Sequence, residues 1–303
     1  MKDLLTIKDV RSSKILDLLD LAQQVKSSPD QYKSHLTQKT LALLFQKTST
    51  RTRISFESGM YQLGGEAIYL DWTTTNLHLG SIGDEVKCIS LYVDLIVARV
   101  YDHILLERMK DATDIPIING LSDKYHPCQT LSDLMTIREL FPDSFDDIKV
   151  AWVGDGNNVC NSLIIGCIKL GIPILIATPK NYEPHQEVLR WVKEQKNCQY
   201  MKLENDPKKV VKNADIVYTD TFVSMGQEDE KEKRLKAFEG YQINRALLTH
   251  ANKNPYIMHC LPAHRGIEIT DDVLESERSV VFQQAENRMY LQKALLLKLL
   301  GLS

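Results

Sequence analysis

Residues 41–65 read LALLFQKTSTRTRISFESGMYQLGG. The unbroken apolar run 41–45, followed by polar turn residues, has the pattern of a strand buried on both faces of a parallel sheet. Phe56, Met60 and Leu63 then fall at i, i+4 and i+7, so a helix begins near residues 49–52 and ends at Gly64-Gly65. The alternation continues outward. Short apolar runs at 67–70, 95–100, 150–153, 172–177, 215–218, 256–259 and 280–282, and a strand-like IPIING at 115–120, are interleaved with amphipathic helical stretches. Residues 7–26 and 286–300 have helical spacing of their own. The expected architecture is α/β: two doubly wound domains with parallel sheets, joined by helices. The polar, turn-rich PDSFDDIK at 142–149 marks the boundary between domains 1–142 and 143–285, and helix 286–303 is expected to pack back onto the first. Sites in such sheets lie beyond the carboxyl ends of the strands, where loops lead into helices.

Composition sets outer limits. The chain has 303 residues, 43% hydrophobic and 25% charged, enough for two medium domains with a sizeable core. Its 37 basic and 40 acidic side chains leave a net charge of -3, which gives no electrostatic footprint for nucleic acid or an anionic membrane. The six cysteines, Cys88, Cys128, Cys160, Cys167, Cys198 and Cys260, form no CxxC pair and suggest neither a disulfide framework nor a zinc site. A reducing compartment suits them. Charges interrupt the N-terminal residues 1–22 throughout, so a signal peptide is not expected, and no stretch approaches a membrane span. The expected location is the cytoplasm.

Ser49, Thr50, Arg51, Thr52 and Arg53 sit where a strand gives way to a helix N-terminus. Free backbone N–H groups and the positive end of the helix dipole favour an anion there, and Arg51 adds a planar fork suited to phosphate oxygens. The same residue types also make an ordinary helix cap with surface arginines. Arg99 ends the apolar run 95–100, where a charge belongs at an exposed strand terminus or in a structural ion pair. His126 and Gln129, in HPCQ, precede a helix and offer two hydrogen-bond donors, although a lone loop histidine is more often simply satisfied in place. WVGDGNNVCNS, 152–162, is a strand, a glycine turn and a helix start. It lacks the GxGxxG dinucleotide spacing, since Val159 follows Gly154 and Gly156 where a glycine is required.

STRTR after a strand, together with HPCQ, resembles the aspartate/ornithine carbamoyltransferase family, and the resemblance runs nearly the length of the chain. It implies carbamoyl phosphate bound by Ser49, Thr50, Arg51 and Thr52, with Arg99, His126 and Gln129 on the carbamoyl group. Attack on that carbonyl puts negative charge on its oxygen, where preorganised donors must wait. Many members have a proline before STRTR, and here the position is Thr48. NLHLG at 76–80 implies that His78 reaches a neighbouring subunit's site, hence a homotrimer or a multiple of trimers.

Three later segments resemble the ornithine branch. Asp220, Ser224 and Met225 match Asp-x-x-x-Ser-Met-Gly, which implies a grip on the α-amino end of ornithine; Phe222 stands where many members have tryptophan. Asn158 is placed to bind the ornithine carboxylate. In HCLP, Cys260 is implied to lie beside the δ-amine and Leu261 to offer its carbonyl to the carbamoyl amide. Arg288 resembles the family's late arginine at the carbamoyl phosphate site. The catalytic set so implied is Arg99, His126, Cys260 and Arg288, in a cleft between the domains, with no metal or organic cofactor. Carbamoyl phosphate would bind first, then ornithine, with the loop around Ser224 and Met225 closing to exclude water. Citrulline and phosphate would leave, as in arginine biosynthesis. The proton of the δ-amine would pass to the departing phosphate or to Cys260. Competing readings are a carbamoyltransferase for putrescine or acetylornithine, a nucleotide-binding dehydrogenase and a catalytically silent paralogue.

Overall fold

A computed structural model describes residues 1–145, 147–224 and 226–302. The chain divides into two compact units, residues 1–135 with 286–303, and residues 136–285. The first contains α1 (Ser12–Ser27), β1 (Thr40–Phe45), α2 (Thr50–Gln62), β2 (Glu66–Asp71), α3 (Ile82–Ile89), β3 (Leu95–Arg99), α4 (His103–Asp111), β4 (Ile117–Leu121) and the start of α5 (Pro127–Leu140). The second contains β5 (Val150–Val153), α6 (Asn158–Leu170), β6 (Ile174–Ala177), α7 (Gln186–Lys193), β7 (Met201–Glu204) and α8 (Pro207–Val211). It continues through β8 (Ile216–Thr219), α9 (Lys231–Ala237), α10 (Arg245–Leu248), β9 (Tyr256–His259), α11 (Asp271–Leu274) and the first turn of α12 (Val281–Leu299). This division falls inside α5 and α12.

Both sheets are wholly parallel, with strand order β2-β1-β3-β4 in the first unit and β7-β6-β5-β8-β9 in the second. Each order reverses once, between β1 and β3 and between β5 and β8, and such switch points are where open α/β sheets hold ligands. The central strands β1, β3, β5 and β8 are buried almost end to end, which is why they are written as continuous apolar runs. The core of the first unit includes Leu44, Ile96, Ala98, Leu106 and Met109. That of the second includes Val153, Val217, Phe238, Ile257 and Val273. In α6 the whole run from Val159 to Ile168 is buried, so that helix is enclosed rather than amphipathic.

Two local expectations change. Residues 280–282 are not a strand. Val280 makes one backbone bond to Ile257, and the chain then turns at once into α12. Three apolar residues are too few to extend a ladder when helical spacing follows immediately. Conversely, β7 carries no apolar run. Its residues are half-buried or exposed, as an edge strand permits, and Lys202 guards that edge. No helix among the described residues is long and apolar enough to cross a membrane.

Candidate active site

In the first unit the site grows from the carboxyl ends of β1, β3 and β4. Ser49 caps α2: its Oγ accepts from the Thr52 N–H at 3.2 Å and donates to Thr52 Oγ1 at 3.1 Å. The cap is therefore real, and it holds the α2 N-terminus in the form that suits an anion. Gly64, at φ +89°, closes α2; an added Cβ would lie 2.8 Å from the Lys33 carbonyl oxygen. The pairing of β3 with β4 shifts register between Ala98 and Arg99, with Gly120 of β4 as the extra residue, so the ladder is broken where Arg99 leaves the strand. Arg99 is buried, and its Nε donates to the Lys47 carbonyl at 3.1 Å, which ties it to the loop carrying Ser49.

Arg288, on α12, joins this set. Its two terminal nitrogens donate to Thr52 Oγ1 and Gln129 Oε1, each at 2.9 Å, and all three side chains are buried. Gln129 Nε2 donates to Asp133 at 2.8 Å, so both ends of that amide are oriented. His126 is buried beside Arg288, Arg99 and Arg51. Burial first, and then those three guanidinium charges, hold its imidazole well below the usual histidine range. At neutral pH it offers a ring N–H without adding charge. Burial pushes the neighbouring Cys128 thiol up to about 12, so it is inert.

Not every nearby candidate points here. Arg53 pairs with Glu57 at 2.9 Å and lies 3.8 Å over the Tyr69 ring, so its guanidinium is engaged away from His126. Thr50 is exposed at the first turn of α2. His78 is exposed on the turn Asn76–His78, where it lines a cavity of about 610 Å³ with Gln46, Trp72 and Arg108.

In the second unit the site grows from the ends of β5, β8 and β9. Asp220 follows β8 and is 7% exposed. Its Oδ1 accepts from Cys260 Sγ at 2.9 Å and its Oδ2 from Asn157 Nδ2 at 2.8 Å. Asn157 also caps α6 through its Oδ1, so one side chain anchors the helix and aims the carboxylate. Gly156 is required by close approach, because a Cβ there would lie 2.3 Å from Pro184 N. Asn158 opens α6, half-buried, beside this pair. Ser224 is half-buried, its N–H donating to Gln227 Oε1 at 3.0 Å. Met225 lies outside the described residues.

Leu261 has φ +59°, a left-handed conformation uncommon for leucine, at the start of a cis Leu261-Pro262 bond. Its N–H donates to His259 Nδ1 at 2.8 Å. The ring proton is thereby assigned to Nε2, which meets Glu268 Oε1 at 3.2 Å, and both partners are fully buried. This chain of contacts holds the backbone N–H of Leu261 against the His259 ring. Asp220, His259 and Cys260 bring three possible metal-ligand atoms within 4.8 Å of one another. Both histidine nitrogens and the thiol already serve hydrogen bonds, which is poor preparation for a metal.

Two side chains that were not singled out from the sequence stand behind Asp220. Asp155 and Arg234 form a buried ion pair. Burial raises the Asp155 carboxyl to about 7, against the pull of Arg234. Asp155 was hidden in a glycine turn and Arg234 in a charged helix with the composition of a solvated face.

Residues 2–139 match the family description "Aspartate/ornithine carbamoyltransferase, carbamoyl-P binding domain" and residues 146–299 the "Asp/Orn binding domain" of the same family. The chain belongs to the aspartate/ornithine carbamoyltransferase family. It is 46% identical to the ornithine carbamoyltransferase of Archaeoglobus fulgidus, over 99% of this chain and 98% of that protein. It is 48% identical to the Bacillus subtilis enzyme of the same name, over 97% and 92%. The solved structure of the Pyrococcus furiosus ornithine carbamoyltransferase superposes with a TM-score of 0.93 at 47% identity, covering 99% of this chain and 97% of that one. Family membership separates the chain from the dehydrogenases that its GDG turn superficially suggested.

Proposed function

We infer that the chain transfers the carbamoyl group of carbamoyl phosphate to the δ-amine of L-ornithine, giving L-citrulline and phosphate. The observation that carries this is the buried set in which Arg288 bridges Thr52 and Gln129 beside a neutral His126. It offers guanidinium charge for a phosphate and uncharged donors for a carbonyl oxygen. In the proposed sequence the α2 N-terminus and Arg51 take the phosphate. Thr52, Arg99 and His126 face the carbonyl oxygen and stabilise the charge that develops on it.

Asp220 is the natural partner of an ammonium group, and Asn158, Ser224 and Met225 are the proposed further contacts to the amino-acid end of ornithine. Leu261 would present its carbonyl to the carbamoyl amide. The δ-ammonium loses one proton to become a nucleophile; as the C–N bond forms and the C–O bond to phosphate breaks, the nitrogen gives up a second proton and becomes the neutral ureido N–H. Cys260 is a thiol that already donates to Asp220, so it can take that proton only by passing its own to the carboxylate. The departing phosphate needs no such relay and is the simpler acceptor.

The proposed assembly is a homotrimer or a multiple of trimers, with the exposed His78 serving a neighbour's site. The six cysteines, with no CxxC pair among them, suit a reducing cytoplasm. An acceptor panel of L-ornithine, putrescine and N-acetylornithine tests the function. Citrulline is expected in one-to-one ratio with phosphate. Faster carbamoylation of putrescine, which has no carboxylate, would remove the roles given to Asn158 and Ser224.

A further inference from the structure

Arg234 is a buried charged side chain outside the reacting groups. It is 4% exposed, although its helix, α9, reads KEKRLKA. Its Nε donates to the Phe222 carbonyl at 2.7 Å, and a terminal nitrogen donates to Asp155 Oδ2. The guanidinium lies over the rings of Tyr182 and Phe238, at 4.8 Å and 5.7 Å, and Phe238 stacks on Phe222 at 4.6 Å. A planar fork that stacks and donates in two directions is a task for arginine and not for lysine.

The two groups that Arg234 grips belong to the two turns that build the acceptor site. Phe222 lies two residues after Asp220 and two before Ser224. Asp155 lies two residues before Asn157, whose amide holds Asp220 at 2.8 Å. One guanidinium thus fixes the base of the turn after β5 and the base of the turn after β8. It also turns Asp155, a second carboxylate close to Asp220, toward the guanidinium.

We propose that Arg234 is a positioning residue for the amino-acid acceptor, locking the turns that carry Asn157, Asp220 and Ser224 and leaving Asp220 as the carboxylate that meets the substrate. The proposal rests on the reading of L-ornithine as acceptor.

The test is steady-state kinetics of Arg234→Met and Arg234→Lys, with carbamoyl phosphate affinity measured separately by calorimetry. Arg234→Met is expected to raise KM for L-ornithine by roughly thirtyfold or more, with carbamoyl phosphate affinity within about twofold of wild type. Arg234→Lys keeps the charge beside Asp155 but cannot also serve the Phe222 carbonyl, so it is expected to fall between the two. If loss of one partner from the buried ion pair leaves Arg234→Met unfolded, the lysine variant decides alone. A wild-type KM for ornithine in Arg234→Lys, or a parallel loss of carbamoyl phosphate affinity, overturns the proposal. A wild-type chain that carbamoylates putrescine in preference to ornithine defeats the acceptor reading instead, so the two failures are distinguishable.

Discussion

In the first unit the polar side chains gather at the ends of β1, β3 and β4; in the second they gather at the ends of β5, β8 and β9. Each set includes the two strands where its sheet order reverses, and each uses a side-chain cap on the helix that follows, Ser49 on α2 and Asn157 on α6. The charge is opposite. Arg51, Arg99 and Arg288 surround His126 in one, while Asp220, Asp155 and Glu268 dominate the other, with Arg234 set behind them. One backbone plan therefore serves an anionic donor and a cationic acceptor by exchanging the sign of the groups at the strand ends. The architecture places the sites; the side chains assign the substrates.

The comparison breaks most visibly where a charge is removed from one side. Arg51→Ala is expected to raise KM for carbamoyl phosphate by roughly a hundredfold, as loss of about 3 kcal/mol of charge-assisted hydrogen bonding would. KM for ornithine should stay within about threefold, and initial rates with each substrate varied in turn check this. Asp220→Asn keeps the shape but not the charge. It should lower kcat/KM for ornithine by roughly thirtyfold, since hydrogen bonds to charged groups contribute about 1.5–3 kcal/mol.

A smaller effect concerns acid stability. The His126 imidazole titrates well below its ordinary 6.5 in the folded protein. Below 6.5 the unfolded chain binds the proton first, so this contribution is fully present above that pH and is lost as pH falls towards the folded value. The stability difference between wild type and His126→Asn should therefore become less favourable to wild type between about pH 7.5 and about pH 5.5. Denaturant midpoints at the two pH values measure it, and the subtraction cancels Asp155, whose raised value acts in the opposite direction. The smallest effect is expected for Arg53→Ala. Its exposed i,i+4 pair with Glu57 contributes about 0.3–0.5 kcal/mol and no catalysis, so unchanged kinetics would confirm that Arg51 alone of the two serves the anion.

Much of this was legible in the chain, and what was hidden had physical causes. Strand β1 and helix α2 could be read because burial on both faces leaves an apolar run and a one-faced helix leaves periodic spacing. Ser49, Arg51 and Thr52 could be read because an anion site at a helix N-terminus is local in sequence. Strand β7 could not, because an edge strand is free to be polar. Residues 280–282 misled because an apolar triplet is common to a strand and to the first turn of a buried helix. The contact of Arg288 with Thr52 and Gln129 spans most of the chain, and residue resemblance, not spacing, pointed to it. Asp155, Arg234 and Glu268 were missed because a buried charge and a solvated one look alike until the fold brings the partner. Asn157 lies in a stretch that reads as a glycine turn and helix start, and its bond to Asp220 depends on two loops meeting.

Calorimetric binding of carbamoyl phosphate to Asp220→Asn tests the division between the units most directly. The account predicts a dissociation constant within about threefold of wild type, because the change lies wholly in the acceptor half-site. Weakening as large as that caused by Arg51→Ala would contradict it.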